Sequence, residues 1–218
     1  MEPALAQLVG TLDATREARE ALYVWFHQHP ELSLQELQTA SKIRSRLDAM
    51  QLPHMQVGET GTVCVLENGP GPVVAIRADI DGLPVQERSG KPYASTATQV
   101  DAVSGHEEHV AHACGHDFHT ACLLGATRAY AAHPEAWSGT LIALFQPGEE
   151  AGGGAQPLHP VRALPREVRV VPAEVAVRRG LAVDGAQQVQ LLDDRGRAQV
   201  EHLVDGLDDA LLGHHGGA

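Results

Sequence analysis

Three short apolar runs constrain the fold of this chain most strongly. TVCVLEN at 62–68, VVAIRAD at 73–79 and GTLIALFQ at 139–146 are each bounded by turn residues, which is typical of strands. The second and third runs are apolar enough to be buried. From about 119 to 132 apolar residues recur on one helical face, between the last two strands. Strands that alternate with helices favour an α/β sheet with a mostly parallel order.

Helical spacing dominates the first fifty residues. Residues 4–28 place apolar side chains at helical intervals, and Pro30 marks a stop. Ser33 and Glu36 have the spacing of a capping box, which predicts a second helix through about Leu47. Two amphipathic helices are therefore expected to begin the fold, whereas the polar stretch from about 86 to 116 is expected to be a loop.

Charge and cysteine content exclude several kinds of partner. The formal charge is −12, from 16 basic and 28 acidic residues, so binding to nucleic acid or to an anionic membrane is not expected. The N-terminal stretch is charged throughout, without an apolar segment suited to a signal peptide or a membrane span. Three cysteines do not make a disulfide framework. These features predict a cytoplasmic protein.

Two clusters carry the residue types of a metal centre. SGHEEHVAHACGHDFHT at 104–120 holds five histidines, three acidic residues and one cysteine, and FQPGEEAGGG at 145–154 adds paired glutamates. Soft, borderline and hard ligands together with a spare carboxylate are what a hydrolytic metal centre requires. The sequence therefore indicates a metallohydrolase.

The acidic candidates follow predicted strands directly. Asp79 and Asp81 come after the second run, and Glu149 and Glu150 come after the third. Open α/β sheets build their sites where such loops leave the strands. The residues from Cys114 to His116 precede the predicted helix and are placed to face the same crevice.

Each candidate also has a purely structural interpretation. If they bind no metal, the histidines form a solvated tract and the two glutamates form an exposed turn. Asp79 and Asp81 would then simply be polar residues that end a strand. Cys114 would be a small buried apolar residue or, as a different functional alternative, a nucleophile paired with His116.

Four ordered segments resemble one known family. They are WFHQHPELSLQE (25–36), AIRADIDGLPVQERSGKPYAS (75–95), HACGHDFHTACLLGA (112–126) and GTLIALFQPGEEAGGGA (139–155). They closely resemble the metal-dependent amidohydrolase and carboxypeptidase family, which includes hippurate hydrolase, N-acyl-amino-acid amidohydrolases and plant auxin-conjugate hydrolases. The resemblance implies a three-layer α/β sandwich with a mostly parallel central sheet, of the phosphorylase/hydrolase-like kind.

The resemblance also implies roles for individual residues. Cys114 and His116 are implied metal ligands, with Cys114 as a thiolate at a two-metal site. Glu149 matches the general base and Glu150 a further ligand, which suits chemistry in which one carboxylate stays off the metal. Asp81 matches the residue that orients the site from behind the ligands, while Asp79 lies in the same motif with a less defined role.

The implied reaction is hydrolysis of the amide bond of N-acyl amino acids or related small amides and dipeptides. Two divalent cations, Mn or Zn, are the implied cofactors, and the small-molecule amide is the implied partner. A thiolate ligand favours zinc on affinity, while the family precedent includes manganese.

The match to the family ends near residue 156. We therefore predict a partial catalytic domain over 1–156 and a tail over 157–218 without family resemblance, with no counterpart of the late histidine ligands or of the family's dimerisation domain. One hypothesis is a frameshift that replaced the remaining reading frame. The alternative is a short variant whose site is completed by a tail histidine, namely His159, His202, His214 or His215.

Two functional readings follow from this division. The first is an amidohydrolase impaired by truncation, and the second is an inactive fragment that at most binds metal through its His/Cys loop.

Local patterns in the tail predict a hairpin around Asp184 and Gly185 and a helix from Ala198.

Overall fold

A mixed five-stranded β-sheet lies at the centre of the protein. The computed structural model describes residues 3–152, 169–172, 189–192 and 198–201. The helices and strands occur in the order α1 (Pro3–Gly10), α2 (Arg16–Gln28), α3 (Leu37–Ala49), β1 (His54–Val57), β2 (Gly61–Asn68), β3 (Val73–Asp79), β4 (Thr98–Val100), β5 (Glu107–His109), α4 (His116–Ala132), β6 (Gly139–Gln146), β7 (Arg169–Pro172), β8 (Val189–Leu192) and β9 (Ala198–Glu201). Short 3₁₀ turns lie at Asp13–Thr15 and Pro134–Ala136.

The central sheet has the strand order β1-β2-β6-β3-β7. β3 pairs in parallel with β6 and β7, whereas β2 pairs antiparallel with β1 and β6. The predicted α/β class is confirmed. Parallel pairing does not dominate among the described strands, because β1 and β2 form a hairpin, with Val57 opposite Gly61, that extends one side of the sheet.

Two apolar clusters cover opposite faces of this sheet. The larger joins α2, α3 and α4 to one face, through the buried residues Leu22, Phe26, Ile43, Leu47, Cys64, Leu66, Ala78, Ile80, Ala121, Leu123, Leu124, Leu141, Ala143 and Phe145. The smaller, on the other face, consists of Val57, Val63, Ala75, Ile142 and Leu144. Successive residues of β6 alternate between the two clusters, as expected for a strand buried on both faces.

The strand predictions were accurate and the helix boundaries less so. β2, β3 and β6 coincide with the three apolar runs, and α4 begins at His116, three residues before the predicted start. The helix predicted over 4–28 is divided into α1 and α2 by the turn at Asp13–Thr15. The predicted loop at 86–116 contains the β4–β5 hairpin.

The predicted capping box is wrong. Helix α3 begins at Leu37, and the Glu36 side chain makes no capping hydrogen bond to it. Glu31 instead accepts hydrogen bonds from the backbone N–H groups of Gln38 (3.0 Å) and Thr39 (2.7 Å). A carboxylate from the preceding turn therefore satisfies the first amides of the helix, which leaves Ser33 and Glu36 free for other partners.

The predictions for the tail are tested only in part. The hairpin predicted around Asp184 and Gly185 lies outside the described residues, as do the four candidate tail histidines. The described hairpin pairs β8 with β9, so Ala198–Glu201 is a strand and not the start of a helix. Antiparallel pairing with β8 overrides the helical spacing there. No helix in the described ranges is long and apolar enough to cross a membrane.

Candidate metal centre

The site is built where β3 and β6 end side by side. Asp79, the last residue of β3, is in register with Gln146, the last residue of β6. One residue further, the Ile80 N–H donates to the Gln146 carbonyl at 3.0 Å. The loops that carry Asp81 and the Glu pair therefore leave the sheet at the same level, at the carboxyl ends of parallel strands.

Two predicted ligands and the predicted general base meet at this edge. One ligand atom from each of His116, Glu149 and Glu150 lies within 4.8 Å of the other two. His116 comes from the start of α4, and the glutamates come from the loop after β6. Residues about thirty positions apart in the chain thus form a single cluster.

His116 is held in one orientation by Asp81. Its Nδ1 lies 2.9 Å from the Asp81 carbonyl oxygen and 3.3 Å from Asp81 Oδ1. Because a carbonyl can only accept, Nδ1 carries the proton and donates it, which leaves Nε2 directed to Glu149 Oε2 at 3.9 Å. Burial opposes the protonation of His116, but the hydrogen bond to Asp81 and the charge of Asp79 outweigh it and raise the pKa of His116 to about 9.

Asp81 accepts hydrogen bonds from three residues around the cluster. Its side chain is buried, and Oδ2 accepts from the Ser33 hydroxyl at 2.6 Å and from the Glu150 N–H at 3.0 Å. Burial alone would raise the pKa of Asp81, but its bonds to His116, Ser33 and the Glu150 amide lower it below the ordinary value. Asp81 is thus a carboxylate that fixes both His116 and the backbone of Glu150.

Cys114 lies beside the cluster. It is an exposed free cysteine, and it is not one of the three residues whose ligand atoms converge. A hydrogen bond to Glu150, followed by burial, raises the pKa of Cys114 to about 11. A neutral thiol is a poor nucleophile, so this environment does not favour a cysteine–histidine dyad.

Asp79 belongs to the scaffold of the same edge. Its carboxylate forms an ion pair with Arg77 at 3.0 Å, and its carbonyl accepts from the Thr120 hydroxyl at 3.1 Å. The second bond ties β3 to the first turns of α4. Asp79 therefore anchors the helix that carries His116, and its charge acts on that imidazole from behind.

The other histidines of the loop occupy different environments. His106 is exposed and His109 ends the exposed strand β5. His112 is buried, and this burial lowers the pKa of His112 to about 4. The His119 ring lies 6.2 Å from the His116 ring, between centroids. Among the five, His116 alone belongs to the convergent group described above.

The donor set fits a divalent cation. Glu150 Oε1 is buried and has no hydrogen-bond partner within the described part of the chain, which is the state of an oxygen available to a metal. One imidazole and two carboxylates are ligands that zinc and manganese accept. His116 and Glu150 are placed to hold such an ion, with Glu149 and the Cys114 sulfur next to them.

Several residues of the site escaped the sequence analysis. Ser33 and Glu36 lie in the first family-like segment but were assigned to a helix cap. His27, in the same segment, bonds Asp117 at 2.6 Å and Glu87 at 3.1 Å, directly behind the start of α4. These residues could have been found from the family-like segment 25–36, because its polar residues have no helical spacing that would explain them as the exposed side of a helix.

The fold and the site define a class, an α/β protein with metal-binding side chains at the carboxyl edge of its sheet. A family model matches residues 75–190, more than half of the chain. The chain belongs to peptidase family M20/M25/M40.

Curated relatives are similar over part of the chain. The chain is 42% identical over 133 residues to an N-acetylcysteine deacetylase of Bacillus subtilis, covering 60% of this chain and 32% of that protein. It is 37% identical over 146 residues to the Arabidopsis thaliana protein IAA-amino acid hydrolase ILR1-like 5, covering 63% of this chain and 31% of that protein. The chain thus spans about a third of the length of the curated relatives it matches.

Solved structures agree with the fold. A Bacillus subtilis protein described as a dinuclear metal-binding peptidase of the M20 family superposes with a TM-score of 0.64 at 35% identity, covering 73% of this chain and 43% of that one. Human carnosine dipeptidase 1 superposes with a TM-score of 0.57 at 13% identity, covering 78% of this chain and 41% of that one, and supports the fold alone.

Proposed function

We propose that this chain is a metal-dependent amidohydrolase that hydrolyses the amide bond of N-acyl amino acids or of related small amides and dipeptides. The observation that carries the proposal is the convergence of His116, Glu149 and Glu150 within 4.8 Å at the carboxyl edge of the sheet. Relatives named as an N-acetylcysteine deacetylase and an IAA-amino acid hydrolase support the substrate class.

The two glutamates have different surroundings, which supports different roles. One oxygen of Glu150 is buried without a hydrogen-bond partner among the described residues, and the Glu150 amide donates to Asp81, so Glu150 is suited to be a ligand. The Glu149 side chain is 40% exposed and can reach water and substrate, so it is suited to be the general base. In this proposal Glu149 takes the proton of the attacking water and delivers it to the leaving amine.

The remaining residues of the site hold their neighbours in place. Asp81 accepts from the His116 Nδ1–H, so a cation that displaces the second proton of the ring would bind Nε2. Cys114 would be a further sulfur ligand beside Glu150, once deprotonated. A bound Mn or Zn pair supplies Lewis acidity toward the scissile carbonyl and the attacking water.

Localisation and partners follow the same proposal. The three cysteines of the chain are free, as in proteins of a reducing compartment, and we propose a cytoplasmic enzyme. Its partner is a small-molecule amide, and the acidic net charge of −12 argues against nucleic acid.

The test combines metal content with turnover. Purified protein is incubated with Mn or Zn, its metal content is measured by mass spectrometry, and amino-acid release is followed from N-acetyl-L-cysteine and other N-acyl amino acids. We expect stoichiometric metal and measurable release. Glu149→Gln should retain the metal and lose turnover by at least about a hundredfold, since it removes the proton acceptor.

Two outcomes contradict the proposal. Metal binding without turnover in the wild type would favour an inactive, metal-binding fragment. Turnover that survives both chelation and Glu149→Gln would exclude the metal-dependent mechanism. Exposed Glu107→Gln is the matched control for the substitution, because Glu107 lies in the β4–β5 hairpin outside the cluster.

A further inference from the structure

Glu36 is a fully buried carboxylate that has no role in the proposed reaction. Its relative exposure is 0%, and burial raises the pKa of Glu36 despite opposing hydrogen bonds. A buried carboxylate is costly unless its oxygens are bonded, so its presence requires specific partners. Those partners indicate what the residue does.

One of these partners belongs to the loop that carries Glu149 and Glu150. Glu36 Oε1 accepts from the N–H groups of Leu34 and Gly148, each at 2.8 Å, and Oε2 accepts from the Thr60 hydroxyl at 2.7 Å. Gly148 directly precedes Glu149 and adopts a left-handed φ of 59°. The bond to Gly148 therefore acts at the point where the chain turns out of β6 toward the Glu pair.

The turn that carries Glu36 also contacts the second loop of the site. The Glu31 carbonyl accepts from the Gly82 N–H at 2.7 Å, and Ser33 donates to Asp81 at 2.6 Å. One short segment, residues 31–36, thus bonds to both loops that leave the parallel strands. It is placed to set the distance between them.

A purely local role does not account for Glu36. The Glu31 carboxylate accepts from the backbone amides of Gln38 and Thr39 in the first turn of α3. The helix therefore does not need the Glu36 carboxylate as a cap. Glu31 and Glu36 are therefore two buried carboxylates in one turn with separate partners, one in the helix and one in the loop after β6.

We infer that Glu36 is a positioning residue for the metal centre: its carboxylate holds the Gly148 amide and so sets the direction in which Glu149 and Glu150 leave β6. The part of this inference that concerns metal rests on the proposed function. The part that concerns the loop rests on the contacts alone.

The test compares Glu36→Met with Glu31→Met. Each substitution keeps an unbranched side chain in place but removes the acceptor oxygens, so both remove a buried carboxylate from the same turn. Glu36→Gln is the rescue variant, since its amide oxygen can accept from Gly148 while its NH2 group donates to Thr60. Glu36→Asp, shorter by one methylene, replaces Glu36→Met if the latter does not fold.

Two readouts are measured on each variant. The first is hydrogen exchange, in the metal-free protein, of the four backbone amides that residues 146–150 carry, since Pro147 has none. The second is the affinity for Co(II), followed by its visible absorption. We expect Glu36→Met to speed exchange in this segment about tenfold and to weaken Co(II) binding about tenfold. Glu36→Gln and Glu31→Met should leave both near the wild-type values.

The inference is overturned if Glu36→Met leaves exchange at 146–150 unchanged, or if Glu31→Met changes it equally. If the wild type binds no Co(II), the proposed function fails by itself. Exchange then still decides the inference: faster exchange in Glu36→Met supports it, and unchanged exchange contradicts it.

Discussion

The Ser33 hydroxyl joins the turn before α3 to the centre of the site. It donates to Asp81 Oδ2 at 2.6 Å, and Asp81 in turn holds His116 and the Glu150 amide. When a buried carboxylate loses a hydrogen-bond donor, the free-energy cost of removing that oxygen from water is no longer compensated. Ser33 therefore matters for stability as well as for geometry.

We predict that Ser33→Ala lowers the free energy of unfolding by about 1–3 kcal/mol, because one oxygen of buried Asp81 loses its hydroxyl donor. Urea denaturation followed by circular dichroism measures this. Ser45→Ala, on an exposed position of α3, is the control and should change stability by less than about 0.5 kcal/mol. Equal effects of the two substitutions would show that the Ser33–Asp81 bond contributes nothing.

A second prediction concerns pH and His27. Burial opposes the protonation of His27, but hydrogen bonds to Asp117 and Glu87 outweigh it and raise the pKa of His27 above its ordinary value. The stability from this raised pKa is fully present below the unfolded pKa and is lost as pH rises through the folded pKa.

Wild type should therefore exceed His27→Gln in stability by more at pH 6 than at pH 9. Urea denaturation at the two pH values measures the difference, and His106→Gln, at an exposed position, is the control. A difference that is constant, or that grows toward pH 9, would contradict the ion-pair account of His27.

At the scale of elements, the backbones at Gly71 and Gly139 lie against each other where β3 and β6 begin. Gly139 has a φ of 107°, and a Cβ on it would overlap the Pro72 carbonyl oxygen. A Cβ on Gly71 would lie 2.8 Å from the Gly139 backbone. These two backbone segments approach so closely that neither glycine accepts a side chain without a backbone shift.

Gly139→Ala should therefore destabilise the protein by about 2–4 kcal/mol, through a positive φ and a backbone clash together. Gly69→Ala is the matched control, since Gly69 has a φ of 73° and, among the described residues other than its two chain neighbours, no atom lies within 4 Å of the added Cβ. Its cost should stay near about 1 kcal/mol. Thermal and urea unfolding compare the two, and equal costs would mean that the contact with Pro72 is relieved easily.

The sequence predicts elements best where apolar residues repeat. β2, β3, β6 and most of α4 were predicted because their side chains fill both faces of the sheet or one face of a helix. β1, β4 and β5 were missed, since their residues are largely exposed and their pairing depends on a neighbouring strand.

Site residues follow the same division. The family-like segments pointed to Cys114, His116 and the Glu pair, and three of these four converge in the structure. The roles assigned to them stay predictions. Glu36 was mistaken for a cap residue because local spacing cannot reveal a bond to Gly148, which is 112 positions away.

At the scale of the whole molecule, the segment beyond residue 156 contributes β7 to the edge of the sheet. The family model extends to residue 190. The division of the chain at 156 and the frameshift hypothesis stay predictions. The DNA downstream of the codon for Gln156 would check them, since a frameshift requires family sequence in another frame.

Metal should also stabilise the whole fold if the site is formed only in the native state. At a free Mn or Zn concentration a hundred times the dissociation constant, we expect a gain of about 2.7 kcal/mol. Urea denaturation with the metal and with a chelator measures it. His116→Ala should abolish the gain and exposed His106→Ala should not; a gain that persists in His116→Ala would place the bound ion elsewhere.

The register of β3 against β6 links the apolar interior to the chemistry. Because Ala75 pairs with Ile142 and Asp79 with Gln146 in one unbroken ladder, a slip of β3 by one residue would turn its core side chains to the wrong face and also shift Asp81 relative to Glu150. The contacts that pack this strand pair therefore also keep the loop of Asp81 beside the loop of Glu150.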